Sequence, residues 1–172
     1  MRILSLVVLA LILMAVPTSA SAQEGFTEHA YRDDFRLAAP SDWTVREDVR
    51  SVHLIALSPQ DGPDDPFREN LNVTTQDVPE GATLDAFYDD AFAEIAKSTI
   101  GFSEIETRNV RIGGVPAKRL VYEYPFGQRA FRVLTYVLLD GDQGYFLTGT
   151  ALAEQYDHYA ATFEQIAESF RL

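Results

Sequence analysis

Three arginines fall on neighbouring predicted strands of an otherwise acidic chain: Arg119, Arg129 and Arg132. A guanidinium group presents a planar fork of donors that matches a carboxylate or a phosphate. If the fold brings these side chains together, they form a binding site for such an anion. The alternative is that they pair with acidic neighbours across or along the sheet, and Glu123 is the candidate partner.

Catalytic and metal-binding chemistry has little support in the sequence. The three histidines, His29, His53 and His158, lie far apart along the chain and do not predict a shared zinc site. The chain has no cysteine and therefore no thiol nucleophile. No Gly-x-Ser-x-Gly pattern singles out a nucleophilic serine. We therefore predict no catalytic residue, no metal site and no cofactor.

Two acidic segments contain oxygen ligands of the kind that Ca²⁺ binds. Residues 140–144, Asp-Gly-Asp-Gln-Gly, begin like a calcium-binding loop, but the glycine is one position early and Ala151 stands where a bidentate glutamate belongs. This segment is typical of a hairpin turn. Residues 61–66, Asp-Gly-Pro-Asp-Asp-Pro, follow no calcium template, so that an exposed acidic loop and a Ca²⁺ site at Asp61–Asp65 are both open.

The chain begins with a segment that is typical of a secretory signal peptide, residues 1–22. Arg2 precedes a long apolar run, which ends in the small residues Ala20, Ser21 and Ala22. The run is shorter than the roughly 20 residues that span a bilayer. We therefore predict an exported protein that does not span the membrane, located in the periplasm rather than fully secreted. Residues 23–30 are predicted to be a flexible leader, and residues 31–172 a single domain.

The composition limits the possible partners. The chain has 26 Asp and Glu against 14 Lys and Arg, a formal net charge of −12. Such a balance repels phosphate backbones, which excludes nucleic acid as a partner. Without cysteine, the fold rests on packing and not on disulfides. The expected partner is a protein or a small molecule of the cell envelope.

Hydrophobic periodicity predicts strands followed by a helix, a meander and a second helix. Strands are predicted over residues 31–37, 52–57, 70–78, 105–112, 115–124, 130–139 and 145–152. One helix starts after an N-cap at Thr83, and the other covers residues 154–170. Glycine-containing turns join the last four strands into an antiparallel meander.

The strand around Val133 and Leu134 is apolar on both faces of the predicted sheet. An antiparallel sheet with one solvated face shows alternating polar residues instead. Something must therefore cover each face, and the two helices are the candidates. This predicts an α+β fold in which an antiparallel meander sheet is flanked by helices on both faces, an α/β/α sandwich.

The order of elements and several short motifs resemble the PsbP-like fold family. The motifs are Phe35-x-Leu37-x-x-Pro40-x-x-Trp43, Asn70-Leu71-Asn72-Val73, Thr83-Leu84-Asp85-Ala86-Phe87, Gly114-Val115-Pro116-Ala117, residues 145–151 and Ser169-Phe170. The family also includes a Ran-binding nuclear import factor and exported bacterial proteins of unknown role. The resemblance implies a sheet flanked by helices and an accessory or binding role. This chain lacks the cysteine of lipoprotein members, and the resemblance transfers no site residue.

We therefore expect a non-catalytic exported binding or accessory module of the cell envelope. Two alternatives are open. One is a small periplasmic hydrolase whose site is assembled from scattered carboxylates, and a pocket with two close carboxylates would favour it. The other is a calcium-dependent binding module that uses the Asp61–Asp65 loop.

Overall fold

Nine strands and two helices make up residues 25–172, the part of the chain that the computed structural model describes. The predicted signal peptide, residues 1–22, lies outside the described residues. The strands are β1 (Phe26–Tyr31), β2 (Phe35–Pro40), β3 (Thr44–Val49), β4 (Val52–Leu57), β5 (Asn70–Asp77), β6 (Ser103–Ile112), β7 (Val115–Phe126), β8 (Arg129–Asp140) and β9 (Gln143–Leu152). The helices are α1 (Leu84–Ser98) and α2 (Tyr156–Ser169).

Strands β3 to β9 form one seven-stranded antiparallel sheet in the order β3-β4-β5-β9-β8-β7-β6. The predicted meander is confirmed as β6 to β9. Gly113 and Gly114, between β6 and β7, both have positive φ angles, which a tight two-residue hairpin favours. Residues 140–144 are confirmed as a hairpin turn, because Asp140 pairs with Gln143 across it.

The two helices begin for different physical reasons. The Thr83 hydroxyl accepts a hydrogen bond from the Ala86 amide at 3.2 Å, which confirms Thr83 as the N-cap of α1. The residue before α2 makes no such capping bond. Packing holds α2 instead, since its buried stripe includes Tyr159, Phe163 and Ile166.

The two helices cover opposite faces of the seven-stranded sheet. On the face that we call the α2 face, α2 and the β1–β2 hairpin pack over residues such as Leu71, Leu134 and Leu147. On the α1 face, α1 packs over residues such as Leu120, Val133 and Val137. Val133 and Leu134 are only 2% and 1% exposed. The predicted α+β architecture with helices on both faces is confirmed.

Two glycines of β9 let the helices approach the sheet closely. A Cβ on Gly149 would lie 2.7 Å from the ring of Phe163 in α2, and one on Gly144 would lie 2.2 Å from the ring of Phe87 in α1. Both distances are shorter than a van der Waals contact between carbon atoms. The absence of a side chain at these positions therefore sets how deeply each aromatic ring is buried.

The β1–β2 hairpin corrects the prediction of a flexible leader over residues 23–30. Residues 26–30 belong to β1, which pairs with β2 from Phe26–Pro40 to Tyr31–Phe35. The segment is mostly polar, and its only fully buried side chain is Tyr31 at its end. Its order comes from backbone pairing with β2, which hydrophobic periodicity does not report.

A hydrogen-bonded network ties this hairpin to the large sheet. The Tyr31 hydroxyl donates to Asp48 Oδ1 at 2.7 Å, and His53 Nδ1 lies 3.1 Å from the same hydroxyl. His53 Nε2 lies 2.8 Å from the Thr75 hydroxyl. The bond between Tyr31 and Asp48 raises the pKa of the tyrosine and lowers the pKa of the aspartate. His53 is therefore part of a structural contact between β1, β3, β4 and β5.

Helix α1 does not cover the whole of the α1 face. On β5 this face carries Asn70, Asn72 and Thr74, which are half-buried and polar. Such alternation is typical of an antiparallel strand with one solvated face.

Neither helix in residues 25–172 has the length and apolar character needed to cross a membrane.

We expect Gly149→Ala to destabilise the protein by about 1–3 kcal/mol, because the added methyl group displaces Phe163 from a closely packed core. Denaturant unfolding measures the change. Gly62→Ala is the matched control, since a Cβ there meets no atom within 4 Å. Equal stability of both variants would show that α2 does not depend on this close approach.

Candidate functional site

Several connections meet at one end of the sheet, which we call the loop end. They are the β4–β5 loop, the β7–β8 turn and the connection from β9 to α2. A groove of about 390 Å³ lies between them. It is lined by Asp61, Gly62, Pro63, Asp64, Asp65, Pro66, Glu69, Arg129, Leu152, Glu154 and Gln155. We call it the loop-end groove.

The acidic wall of the groove is held in place by its own hydrogen bonds. The Asp65 carboxylate accepts from the amides of Asp61 and Phe67, both at 3.1 Å. Arg68 closes the base of the loop, where its guanidinium donates to the carbonyls of Ser58 at 2.5 Å and Leu57 at 3.2 Å. The loop therefore presents a defined shape to the groove.

Glu69 lies in the lining of the groove and is only 2% exposed. Burial raises the pKa of its carboxyl group, and the nearby Asp65 and Asp61 raise it further. The backbone amides of Glu69 and Leu152 partly offset this by favouring the ionised form. Among residues 25–172, no Lys or Arg lies within ion-pair distance of Glu69.

Arg129 is the one cationic side chain in the lining of the groove. It is exposed at the start of β8, where it pairs with Phe126 across the β7–β8 turn. Gly127, in that turn, has a positive φ of 64°, a conformation that favours glycine. Within the described part of the chain, Arg129 forms no ion pair.

An aromatic cluster borders the groove on the α1 face. The Phe126 ring, 72% exposed, lies 6.3 Å from the Phe131 ring in an edge-to-face arrangement. Phe131 in turn lies 4.8 Å from Phe67, which belongs to the acidic loop. Ring contacts of this kind are worth about 0.5–1.5 kcal/mol beyond area burial. Phe126 therefore contacts Phe131, while most of its side chain is exposed to solvent.

The structure separates the three arginines that the sequence singled out. Arg129 and Arg132 are three residues apart on one strand, and their side chains therefore point to opposite faces. Arg119 and Arg132 both lie on the α2 face but bind different carboxylates. Among the described residues, a site that uses all three guanidinium groups is therefore not assembled.

Arg119 is a buried structural residue. Its guanidinium binds Glu106 of β6 at 2.5 Å and Glu164 of α2 at 2.8 Å. Because the guanidinium is buried while both carboxylates are partly exposed, the loss of either carboxylate would leave a buried charge with one partner fewer. Arg119 therefore connects α2 to the edge of the sheet.

Arg132 confirms the alternative that the sequence offered, pairing with Glu123. Its guanidinium lies 2.6 Å from Glu123 on the neighbouring strand and 3.3 Å from Asp157 in α2. It also stacks 5.1 Å above the Tyr156 ring. Like Arg119, it is occupied by contacts within the domain.

The histidines and the acidic loop do not supply a ligand set for a metal ion. His29, His53 and His158 lie on β1, β4 and α2. The Asp61 carboxylate accepts from the Tyr159 hydroxyl at 3.4 Å, and that of Asp65 accepts from backbone amides. Among residues 25–172, no group of three or more His, Asp or Glu side chains could hold a metal ion. The calcium alternative gains no support.

Sequence reasoning missed Glu69, Phe126 and Phe67 at the loop end. An apolar residue beside a tight turn was the signal for Phe126, since turns usually carry polar side chains. Glu69 had no such signal. It is buried because the β4–β5 loop folds back, so that the Ser58 amide donates to the Glu69 carbonyl at 2.8 Å.

We expect Glu69→Gln to raise the melting temperature at about pH 7, because an ionised carboxylate with a raised pKa costs stability above that pKa. At about pH 3 the difference disappears, since the acid is then neutral in both the folded and unfolded states. Thermal unfolding across pH measures this. Asp64→Asn, on the exposed part of the same loop, is the control. It leaves the melting temperature unchanged at both pH values. A lower melting temperature for Glu69→Gln at pH 7 would contradict the explanation.

Solved structures that share this fold include three that match over most of their own length. LpqN from Mycobacterium tuberculosis, described as involved in cell envelope biogenesis, matches with a TM-score of 0.68 at 17% identity, over 84% of this chain and 90% of its own. Cyanobacterial PsbP (CyanoP) from Synechocystis sp. PCC 6803 matches with a TM-score of 0.64 at 15% identity, over 90% and 96%. The Ran-binding protein Mog1p from Saccharomyces cerevisiae matches with 0.57 at 8%, over 85% and 94%.

No protein-family model and no curated protein sequence matches the chain. The structural matches are all below 25% identity, and they concern the fold alone. At that level they confirm the resemblance that the short motifs indicated.

Proposed function

We propose that this chain, whose fold is PsbP-like, is an exported non-catalytic binding module of the cell envelope and that the loop end is its binding surface. The observation that carries the proposal is the exposed Phe126, braced by Phe131 and placed beside the loop-end groove and Arg129. Aromatic side chains and arginine are the residues that most often anchor protein interfaces.

The position of this surface also supports a binding role. Loops that a rigid sheet holds at one end are common binding surfaces, because they vary without disturbing the core. At the loop end the β4–β5 loop is held by the hydrogen bonds of Asp65 and Arg68. A preformed surface loses less conformational entropy when it binds.

The chemistry of the groove supports binding over nucleophilic catalysis. Its polar side chains are carboxylates, one guanidinium and one amide. Nucleophilic catalysis needs a hydroxyl, thiol or amine activated by an adjacent base. The lining of this groove, within the described residues, holds no serine, threonine, histidine or lysine.

The structural neighbours are consistent with an accessory role in the envelope. LpqN is described as involved in cell envelope biogenesis, and Mog1p as a Ran-binding protein. A shared fold does not establish a shared function. The location of this chain therefore rests on the predicted signal peptide, with the neighbours as support.

Site-specific photocrosslinking tests the proposal in cells that express the full chain. With a benzophenone amino acid in place of Phe126, we expect one covalent adduct of discrete mass, identified by mass spectrometry. The matched control places the same group at Asp142, an exposed turn residue at the opposite end of the sheet, and yields no such adduct. Equal adducts at both positions, or none at Phe126, would reject the loop end as the binding surface.

A hydrolase is the second candidate, and Glu69 is the observation that favours it. A carboxyl group of raised pKa can act as a general acid, and Glu69 has such a pKa with Asp61 and Asp65 as neighbours. If this candidate is correct, the protein turns over an ester, amide or glycoside substrate, and Glu69→Gln lowers the rate about 100-fold or more. We expect no turnover above background on such a panel, for the parent protein as for the variant.

A further inference from the structure

The apolar part of the loop end is larger than Phe126 alone. Five large apolar side chains are exposed among the described residues, and Ile100 is the most exposed at 90%. A Cβ on Gly101 would lie 2.7 Å from Cδ of Pro125, so that the turn carrying Ile100 abuts the strand end carrying Phe126. Two exposed apolar side chains therefore stand at one end of the molecule, where a partner can cover both.

The groove beside this apolar patch is strongly acidic. Its lining contains five carboxylates against the single guanidinium of Arg129. The carboxylates belong to Asp61, Asp64, Asp65, Glu69 and Glu154. None of them has a Lys or Arg within 4.0 Å among the described residues. A concave surface lined by one sign of charge concentrates the electrostatic potential and attracts the opposite charge.

We propose that the loop end binds a cationic segment of a partner protein, with an apolar side chain against Phe126 and a Lys or Arg side chain in the groove. This inference rests on the proposed function, since it names the chemistry of the partner for the same surface. The patch supplies apolar area, and the groove supplies charge complementarity, which determines specificity and association rate.

Other occupants fit these charges less well. A neutral apolar segment would cover the carboxylates without pairing them, which costs desolvation energy. A second copy of this chain carries the same formal charge of −12, so that two copies repel each other. Anionic lipid and nucleic acid are repelled for the same reason. Of these occupants, only a basic segment carries charges that pair with the carboxylates of the groove.

Glu69 contributes a buried carboxyl group to the lining of the groove. Its carboxyl group is almost fully buried and lacks a cationic partner in the described chain. A Lys or Arg side chain bound in the groove would place a positive charge near this carboxyl group, which favours its ionised form. Long aliphatic stems also pack along apolar surface while the charged head reaches a carboxylate.

Nuclear magnetic resonance with two short peptides tests the inference. The probes are acetyl-Lys-Leu-Lys-Leu-Lys-amide and acetyl-Glu-Leu-Glu-Leu-Glu-amide, titrated into nitrogen-15-labelled protein. We expect the cationic peptide to shift the amides of residues 61–69 and 126–129, and the acidic peptide to shift none of them. Raising the salt to about 0.5 M should weaken the binding, because charges separated by more than a Debye length are then screened.

Matched variants separate a specific surface from general acidity. Phe126→Ser should weaken binding of the cationic peptide about tenfold, the loss typical of an interface anchor. Asp64→Asn with Glu154→Gln should weaken it about fivefold or more. The control, Asp33→Asn with Asp89→Asn, removes the same number of exposed carboxylates elsewhere and leaves the affinity unchanged.

Several results would overturn the inference. They are equal shifts with the acidic peptide, an equal loss of affinity in the control double variant, and no shift at millimolar cationic peptide. A concentration-dependent dimer that shifts the same amides would assign the surface to a second copy instead.

Photocrosslinking at Phe126 distinguishes the proposal that the loop end is the binding surface from the proposal that its partner is cationic. If it captures a partner while the cationic peptide fails to bind, the binding surface stands and the cationic chemistry is wrong.

Discussion

Burial of both faces of the meander is the constraint on which the rest of the structure depends. Strands β7 to β9 carry apolar residues on the two sides of one sheet, and each side must be removed from water. One helix therefore packs on each face, and β9 has a glycine where an aromatic ring of each helix packs against it. The helices then leave the ends of the sheet as the places where loops are free to vary.

This architecture accounts for the position of the candidate site. With α1 and α2 on the two faces, the connections at the loop end form an accessible groove lined by Glu69 and Arg129. The same packing buries Phe131, which supports Phe126 from below. The exposed Phe126 is thus connected to the core through Phe131.

The arginines show how the fold divides similar side chains between structure and surface. Arg119 and Arg132 point toward α2 and bind Glu106, Glu164 and Glu123, whereas Arg129 points to the other face at the strand end. All three are arginines on two neighbouring strands of the meander. Strand alternation and distance from the helix decide which guanidinium forms no ion pair within the described chain.

The sequence by itself determined the two helices, the meander and the layer architecture, because side-chain periodicity reports which faces of each element are apolar. It did not separate β1 from β2 within residues 31–37, and it did not predict β3. The N-cap at Thr83, the meander and the double cover all followed from such local patterns. Only the tertiary structure shows that residues 26–31 form an ordered strand, that Glu69 is buried and that Phe126 is exposed beside the groove. These depend on pairing between strands and on the path of a loop that folds back on itself, and such long-range contacts leave no periodic signal in the chain.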